Sequence, residues 1–176
     1  VWDALKAGYR AIDPAAIYQD EEAVGEAIKA SGIARDELFI TTKVWNADQG
    51  YDNTLKAFEL SLQKLGLDYV DLYLTHWPKP QLVDTYKAIE RLYEEKLIRV
   101  PGVSNHHEHH LQQIFAEANV LPMVNQIECH PSLSQDALRA FCAEHNIAVT
   151  AWAPLGTGIV FTHPVVKQLA EKYSKT

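Results

Sequence analysis

The sequence predicts an α/β chain of successive parallel βα units, curled as a (β/α)8 barrel with about six units in view. Three observations carry this expectation. Short apolar runs rich in β-formers recur at intervals of roughly 24 to 32 residues, each followed by a helical pattern. Nearly every run ends in a side chain able to do chemistry: Asp13, Lys43, His76, Asn105 and Glu128. No Gly-x-Gly-x-x-Gly turn follows any of them, whereas an open doubly wound sheet gathers its ligand at one switch point and usually begins with such a turn. Chemistry at every strand end suits the mouth of a barrel.

The expected strands are residues 9–13, 38–43, 69–76, 98–105, 123–128 and 148–152. Residues 1–8 form an amphipathic helix ahead of the first. Between the strands, helical spacing is kept by Val24, Ala27 and Ile28, by Leu55, Phe58, Leu62 and Leu65, and by Leu111, Ile114, Phe115 and Ala118. Leu138, Phe141 and Cys142 repeat it, and Val166, Leu169, Ala170 and Tyr173 carry a last helix toward Thr176. Residues 1–176 are therefore expected to be a single barrel domain, incomplete at both ends, with one further strand before the first and one after the last. Pro101 falls inside a central strand, where it removes a ladder donor, and points to a bulge or a local error in the sequence there.

Composition narrows the function. A chain of 176 residues with 47% hydrophobic residues can build a sizeable core and does not read as disordered. Sixteen basic against 23 acidic residues give a net charge of −7, a poor match for nucleic acid or an anionic membrane. Cys129 and Cys142 sit in apolar segments without metal-ligand spacing, which predicts reduced, buried thiols and a reducing, cytoplasmic compartment. No apolar run reaches the length of a membrane span, and residues 1–8 do not read as a signal peptide.

Reduction of a carbonyl by hydride transfer needs a proton donor at the oxygen, a group that tunes the donor, and a pocket that holds the hydride source against the carbon. A tyrosine with a pKa near 10 is a poor acid at neutral pH unless a neighbouring cation favours the phenolate. Lys43 can supply that charge, Asp13 can hold Lys43 by ion pairing, and Tyr18 lies five residues past Asp13 on the following loop. His76 can orient or polarise a carbonyl as a hydrogen-bond donor.

Each of these residues has an ordinary structural reading as well. Asp13 and Lys43 alone describe a structural ion pair, His76 a core histidine, and Trp45, Trp77 and Trp152 plain packing. The run His106, His107, Glu108, His109, His110 invites a metal, since His106 and His110 share a helix face, but it has no HExxH register and no evident third ligand. A solvated first helical turn is the expectation there, and no metal is predicted. Glu21 and Glu22 read as favourable charges in a helix's first turn.

The segments GYRAIDPAAIYQDEEAVGEAI, FITTKVW, YVDLYLTHWP, GVSN, NQIECHP and AVTAWAPLG, in this order, resemble the aldo-keto reductases along the whole chain. The branch resembled is the small bacterial and trypanosomatid one, of the prostaglandin F synthase and 2,5-diketogluconate reductase type. The resemblance implies an NADPH-dependent reductase of aldehydes and ketones, with Asp13, Tyr18, Lys43 and His76 as its catalytic set. It implies that Ser104, Asn105 and Gln126 bind the nicotinamide carboxamide, that Trp152 stacks on the nicotinamide, and that Leu155 and Gly156 approach the pyrophosphate. Trp45 and Trp77 become walls of the substrate pocket. A small-molecule carbonyl is the only partner implied, and a complete barrel is expected to be a monomer. The sequence departs from the family at Pro14, where Thr is usual after the Asp, and at His106, where Phe is usual. The family's Lys-Ser and Arg cluster that grips the adenosine phosphate has no counterpart before Thr176.

Three other functions compete with this one. Lys43 is placed for a Schiff-base lyase, in which its amine attacks a carbonyl. A cofactor-sensing binding subunit and an inactive or weakly active truncated reductase are the non-catalytic alternatives.

Overall fold

The computed structural model describes residues 1–175. Each apolar run becomes a strand where β-branched and aromatic residues can pack on both faces of a sheet: β1 (Ala11–Ile12), β2 (Phe39–Val44), β3 (Val70–Thr75), β4 (Ile98–Ser104), β5 (Val124–Glu128) and β6 (Ala148–Trp152). Among the described residues they form one sheet in sequence order, with every neighbouring pair parallel. The connecting helices are α1 (Trp2–Lys6), α2 (Glu21–Ser31), α3 (Tyr51–Leu65), α4 (Leu82–Glu94), α5 (Glu108–Phe115), α6 (Asp136–Glu144) and α7 (Pro164–Tyr173).

The sheet is curled. In a flat sheet β1 and β5 would lie roughly 19 Å apart at the ordinary strand spacing. Instead, Gln126 on β5 donates a hydrogen bond from Nε2 to Asp13 Oδ2, just past β1, at 3.0 Å. Side chains from nearly opposite ends of the strand order meet across the interior, which makes the six strands an arc of a parallel barrel.

The core lies on both faces of the central strands. All of β3 is buried, and Phe58 of α3 packs edge-on to Tyr73 with ring centroids 4.8 Å apart. Tyr86, Ile89 and Leu92 give α4 its inward face. Gly25 lets α2 close on the end of α3: a Cβ there would lie 2.3 Å from the Leu65 carbonyl oxygen. Near the amino ends of the strands, buried Asp71 accepts from Arg35 at 2.7 Å, Arg99 at 3.0 Å and the Ile40 amide at 2.8 Å, tying β2, β3 and β4 together away from their carboxyl ends.

One sequence expectation fails here. The register between β3 and β4 runs without interruption through Tyr73 opposite Pro101, so there is no bulge. The Pro101 carbonyl points to the β5 side and accepts from the Met123 amide at 2.9 Å. In a parallel ladder the amide of the same residue faces the same way, and β5 begins only at Val124, so the missing donor falls beyond the ladder. Glu21 falls in the first turn of α2, as expected. It is buried, and its Oε1 accepts from Thr42 Oγ1 at 2.7 Å.

Candidate active site

The carboxyl ends of the strands bring the predicted catalytic residues together. Lys43, inside β2, is 1% exposed; its Nζ donates to Asp13 Oδ1 at 2.8 Å and to the Pro14 carbonyl at 3.0 Å. Pro14 thus contributes through its carbonyl oxygen, which a proline retains. Beyond it a single 3-10 turn (Ala16–Tyr18), closed by the Tyr18 amide on the Ala15 carbonyl at 2.9 Å, presents the phenol at the mouth. Lys43 Nζ lies 5.5 Å from the Tyr18 ring centroid, and the His76 ring meets Tyr18 edge-on at 5.8 Å.

These neighbours set the protonation states. The Tyr18 phenol is held above its ordinary value, first by burial and then by the carboxylates Asp13 and Asp20. Lys43 Nζ, the cation expected to lower it, is engaged by Asp13 and Pro14. Tyr18 accordingly keeps its proton at neutral pH. His76 is lowered to about 4 by burial and by Lys43, partly opposed by Asp13, so the imidazole is neutral across the physiological range. Its Nδ1 is buried without a hydrogen-bond partner among the described residues.

A 330 Å³ cavity opens beside this set. Asp13, Tyr18, His76 and Trp77 line one side, and Ser104, Asn105, Gln126, Trp152 and Ala153 the other. Asn105 joins three strand ends: Nδ2 donates to the His76 carbonyl at 3.0 Å and to Ser104 Oγ at 3.1 Å, while Oδ1 accepts from Trp152 Nε1 at 2.7 Å. These bonds hold its backbone at a φ of 63°, in the left-handed region that asparagine tolerates better than most residues. Ser104 Oγ donates to the Gln126 carbonyl at 2.8 Å. An amide-rich wall beside a half-buried indole suits a flat aromatic carboxamide, so these residues fit a nicotinamide ring.

Not every predicted site residue reaches this cavity. Trp45 packs edge-on to His76 at 5.3 Å but lines a neighbouring 480 Å³ cavity with Ala16, Ile17 and Glu21. Leu155, 53% exposed, and buried Gly156 follow β6 outside the cavity, and Glu128 pairs with His130 at 3.4 Å. In the histidine run His107 and His109 are exposed, as a solvated first turn requires, but His106 is not. His106 is fully buried; His107 caps α5, whose third residue, His110, accepts back from the His107 amide at 3.2 Å. Among the described residues no group of three ligands could hold a metal ion. Cys142 is buried, Cys129 half-buried, and both are free. No described helix is long and apolar enough to cross a membrane.

Two contributors left no signal in the sequence. Buried Gln49 donates from Nε2 to the Trp77 carbonyl at 2.7 Å, joining the loops after β2 and β3, and Ala153 lines the cavity just past β6. Neither sits at a strand end or in a spacing that marks chemistry.

Fold and site together define a class: a parallel βα-barrel protein with a Tyr, Lys, Asp and His set at its carboxyl mouth, beside an amide-lined cavity. The model of the aldo/keto reductase family matches residues 1–168, and the chain belongs to that family. It is 53% identical over 177 residues to the 9,11-endoperoxide prostaglandin H2 reductase of Trypanosoma cruzi, covering 98% of this chain and 62% of that protein. It is 54% identical over 174 residues to the glyoxal reductase of Bacillus subtilis, covering 98% and 63%. The chain thus spans less than two thirds of the length of these relatives. A solved structure of a Gox0644 variant in complex with NADPH superposes with a TM-score of 0.93 at 44% identity, covering 99% of this chain and 64% of that one.

Proposed function

We propose that these residues carry NADPH-dependent reduction of aldehydes or ketones to alcohols, with Tyr18 as the proton donor. The observation that supports this most directly is the convergence of a protonated phenol, a neutral imidazole and the Lys43–Asp13 pair at one cavity. A dihydronicotinamide held there would supply the hydride for the carbonyl carbon. Tyr18 gives its proton to the carbonyl oxygen, so one carbonyl, one hydride and one proton yield one alcohol, and solvent returns a proton to Tyr18. As the phenolate develops, the positive charge of Lys43 Nζ at 5.5 Å from the ring opposes the carboxylates that otherwise disfavour it. Neutral His76 holds the carbonyl oxygen by a hydrogen bond without competing for the proton.

On this reading Ser104, Asn105 and Gln126 hold the carboxamide, Trp152 stacks on the ring, and Leu155 and Gly156 lie toward the pyrophosphate. The resemblance to a protein solved with NADPH supports that cofactor. The similarity to a glyoxal reductase points to a short aldehyde or dicarbonyl as substrate, placed beside Tyr18 and Trp77.

The Schiff-base alternative fits poorly, because Lys43 is 1% exposed and its Nζ is engaged by Asp13 and Pro14. The test is to give the full chain NADPH and glyoxal or another short aldehyde. One alcohol formed per NADPH consumed is expected. Borohydride trapping of substrate on Lys43, with no NADPH consumed, would overturn the reading in favour of the lyase.

A further inference from the structure

Asp13 is poorly held by its own strand. β1 is two residues long, and the Asp13 side chain, just past its end, is 47% exposed. Gln126 is the opposite case: it sits within β5, 5% exposed, with its carbonyl accepting from Ser104 Oγ at 2.8 Å and from the Asn105 amide at 2.9 Å. The two meet 113 residues apart, Gln126 Nε2 donating to Asp13 Oδ2 at 3.0 Å while Oδ1 takes Lys43 Nζ at 2.8 Å. A carboxylate can only accept, so the amide must present its nitrogen to Asp13. The carboxylate is therefore held at both oxygens, by Lys43 on one and by a buried donor from across the barrel on the other.

We propose that Gln126 is a positioning residue for proton transfer, clamping Asp13 across the barrel mouth so that its other oxygen is directed onto Lys43. This rests on the reading of Tyr18 as the acid and goes beyond the carboxamide contact implied for Gln126. The charged and titratable groups facing Tyr18 are Asp13 beyond β1, Asp20 at the start of α2, Lys43 on β2 and His76 beyond β3. Of these, Gln126 is hydrogen-bonded to Asp13. The amide offsets part of the Asp13 charge and holds the rest toward Lys43, so losing it exposes the phenol to more of that carboxylate.

The experiment is an alkaline absorbance titration of the cofactor-free full chain, with Tyr18 isolated by subtracting the same protein carrying Tyr18→Phe. Gln126→Leu is expected to raise the Tyr18 midpoint by about half a pH unit. Gln126→Glu keeps the shape but sets a second carboxylate beside Asp13, and is expected to raise it further; thermal melts by circular dichroism confirm which variants are folded. In an Asp13→Asn background, Gln126→Leu is expected to change nothing, because the group it acts through is gone. Titration of both variants at the wild-type midpoint, or an equal Gln126→Leu shift with and without Asp13, overturns the clamp. An Asp13-dependent shift in a protein that does not consume NADPH would uphold the clamp and remove the reductase reading, so the two fail separately.

Discussion

Replacing His106 with phenylalanine should change how stability depends on pH, by an amount the structure sets. His106 is fully buried and held to a pKa of about 4, chiefly by burial, with the hydrogen bond to the Ser104 carbonyl opposing and His110 and His107 reinforcing the shift. The unfolded chain takes up this proton near the ordinary value of about 6.5, while the folded chain resists until about 4. The stability from keeping the imidazole neutral is therefore present above 6.5 and is lost as pH falls toward 4. By about pH 5 the loss amounts to about 2 kcal/mol. Phenylalanine has no such term. The variant gives up the Nδ1 bond to the Ser104 carbonyl at 2.8 Å, at about 1 kcal/mol at any pH, but also removes a buried Nε2 that has no partner among the described residues. Urea unfolding followed by circular dichroism should place the two proteins within about 1 kcal/mol at pH near 7 and favour the variant by about 2 kcal/mol more at pH near 5. His76 titrates in both proteins and cancels. A stability difference that does not move with pH would refute the reasoning.

Lys43→Met should lower carbonyl reduction by about a hundredfold or more and alter the alkaline limb of the pH profile, because it removes the cation beside the phenol; a lower rate with an unaltered profile would break the Tyr18–Lys43 coupling. Asp71→Asn should cost about 3 kcal/mol in urea unfolding, since two arginines lose a buried carboxylate, yet leave NADPH affinity alone because the pair sits near the amino ends of the strands. Gly25→Ala should destabilise by about 1 to 3 kcal/mol despite alanine's helix propensity, as its Cβ would press on the Leu65 carbonyl; a raised melting temperature would contradict the close approach of α2 and α3.

Where local pattern decides structure, the sequence was readable. Strand β6 falls on the residues expected of it, and the other strands lie within a few residues of their apolar runs. Asp13, Lys43, His76 and Asn105 were visible as polar ends of apolar runs, and the barrel followed from their recurrence. α4 was implied only by its place after β3, although Tyr86, Ile89 and Leu92 keep helical spacing. What stayed hidden depends on distant residues. The bond from Gln126 to Asp13 exists only once the sheet curls, and the burial of His106 only once Asn125 on β5 closes over its backbone, donating to its carbonyl at 2.7 Å. Pro101 misled because the rule against proline in central strands treats a strand as paired along its whole length, whereas β5 starts one step too late to need that amide.

The measurement that bears most directly on the proposed mechanism is hydride transfer in Tyr18→Phe, followed in a single turnover of the full chain with bound NADPH and a short aldehyde. NADPH affinity, read by fluorescence quenching, should change by less than about twofold, because the phenol is assigned to the carbonyl and not to the cofactor. The transfer rate should fall by about a hundredfold or more, the usual contribution of a general acid. A variant that binds NADPH normally and retains more than about a tenth of the wild-type rate would contradict Tyr18 as the proton donor.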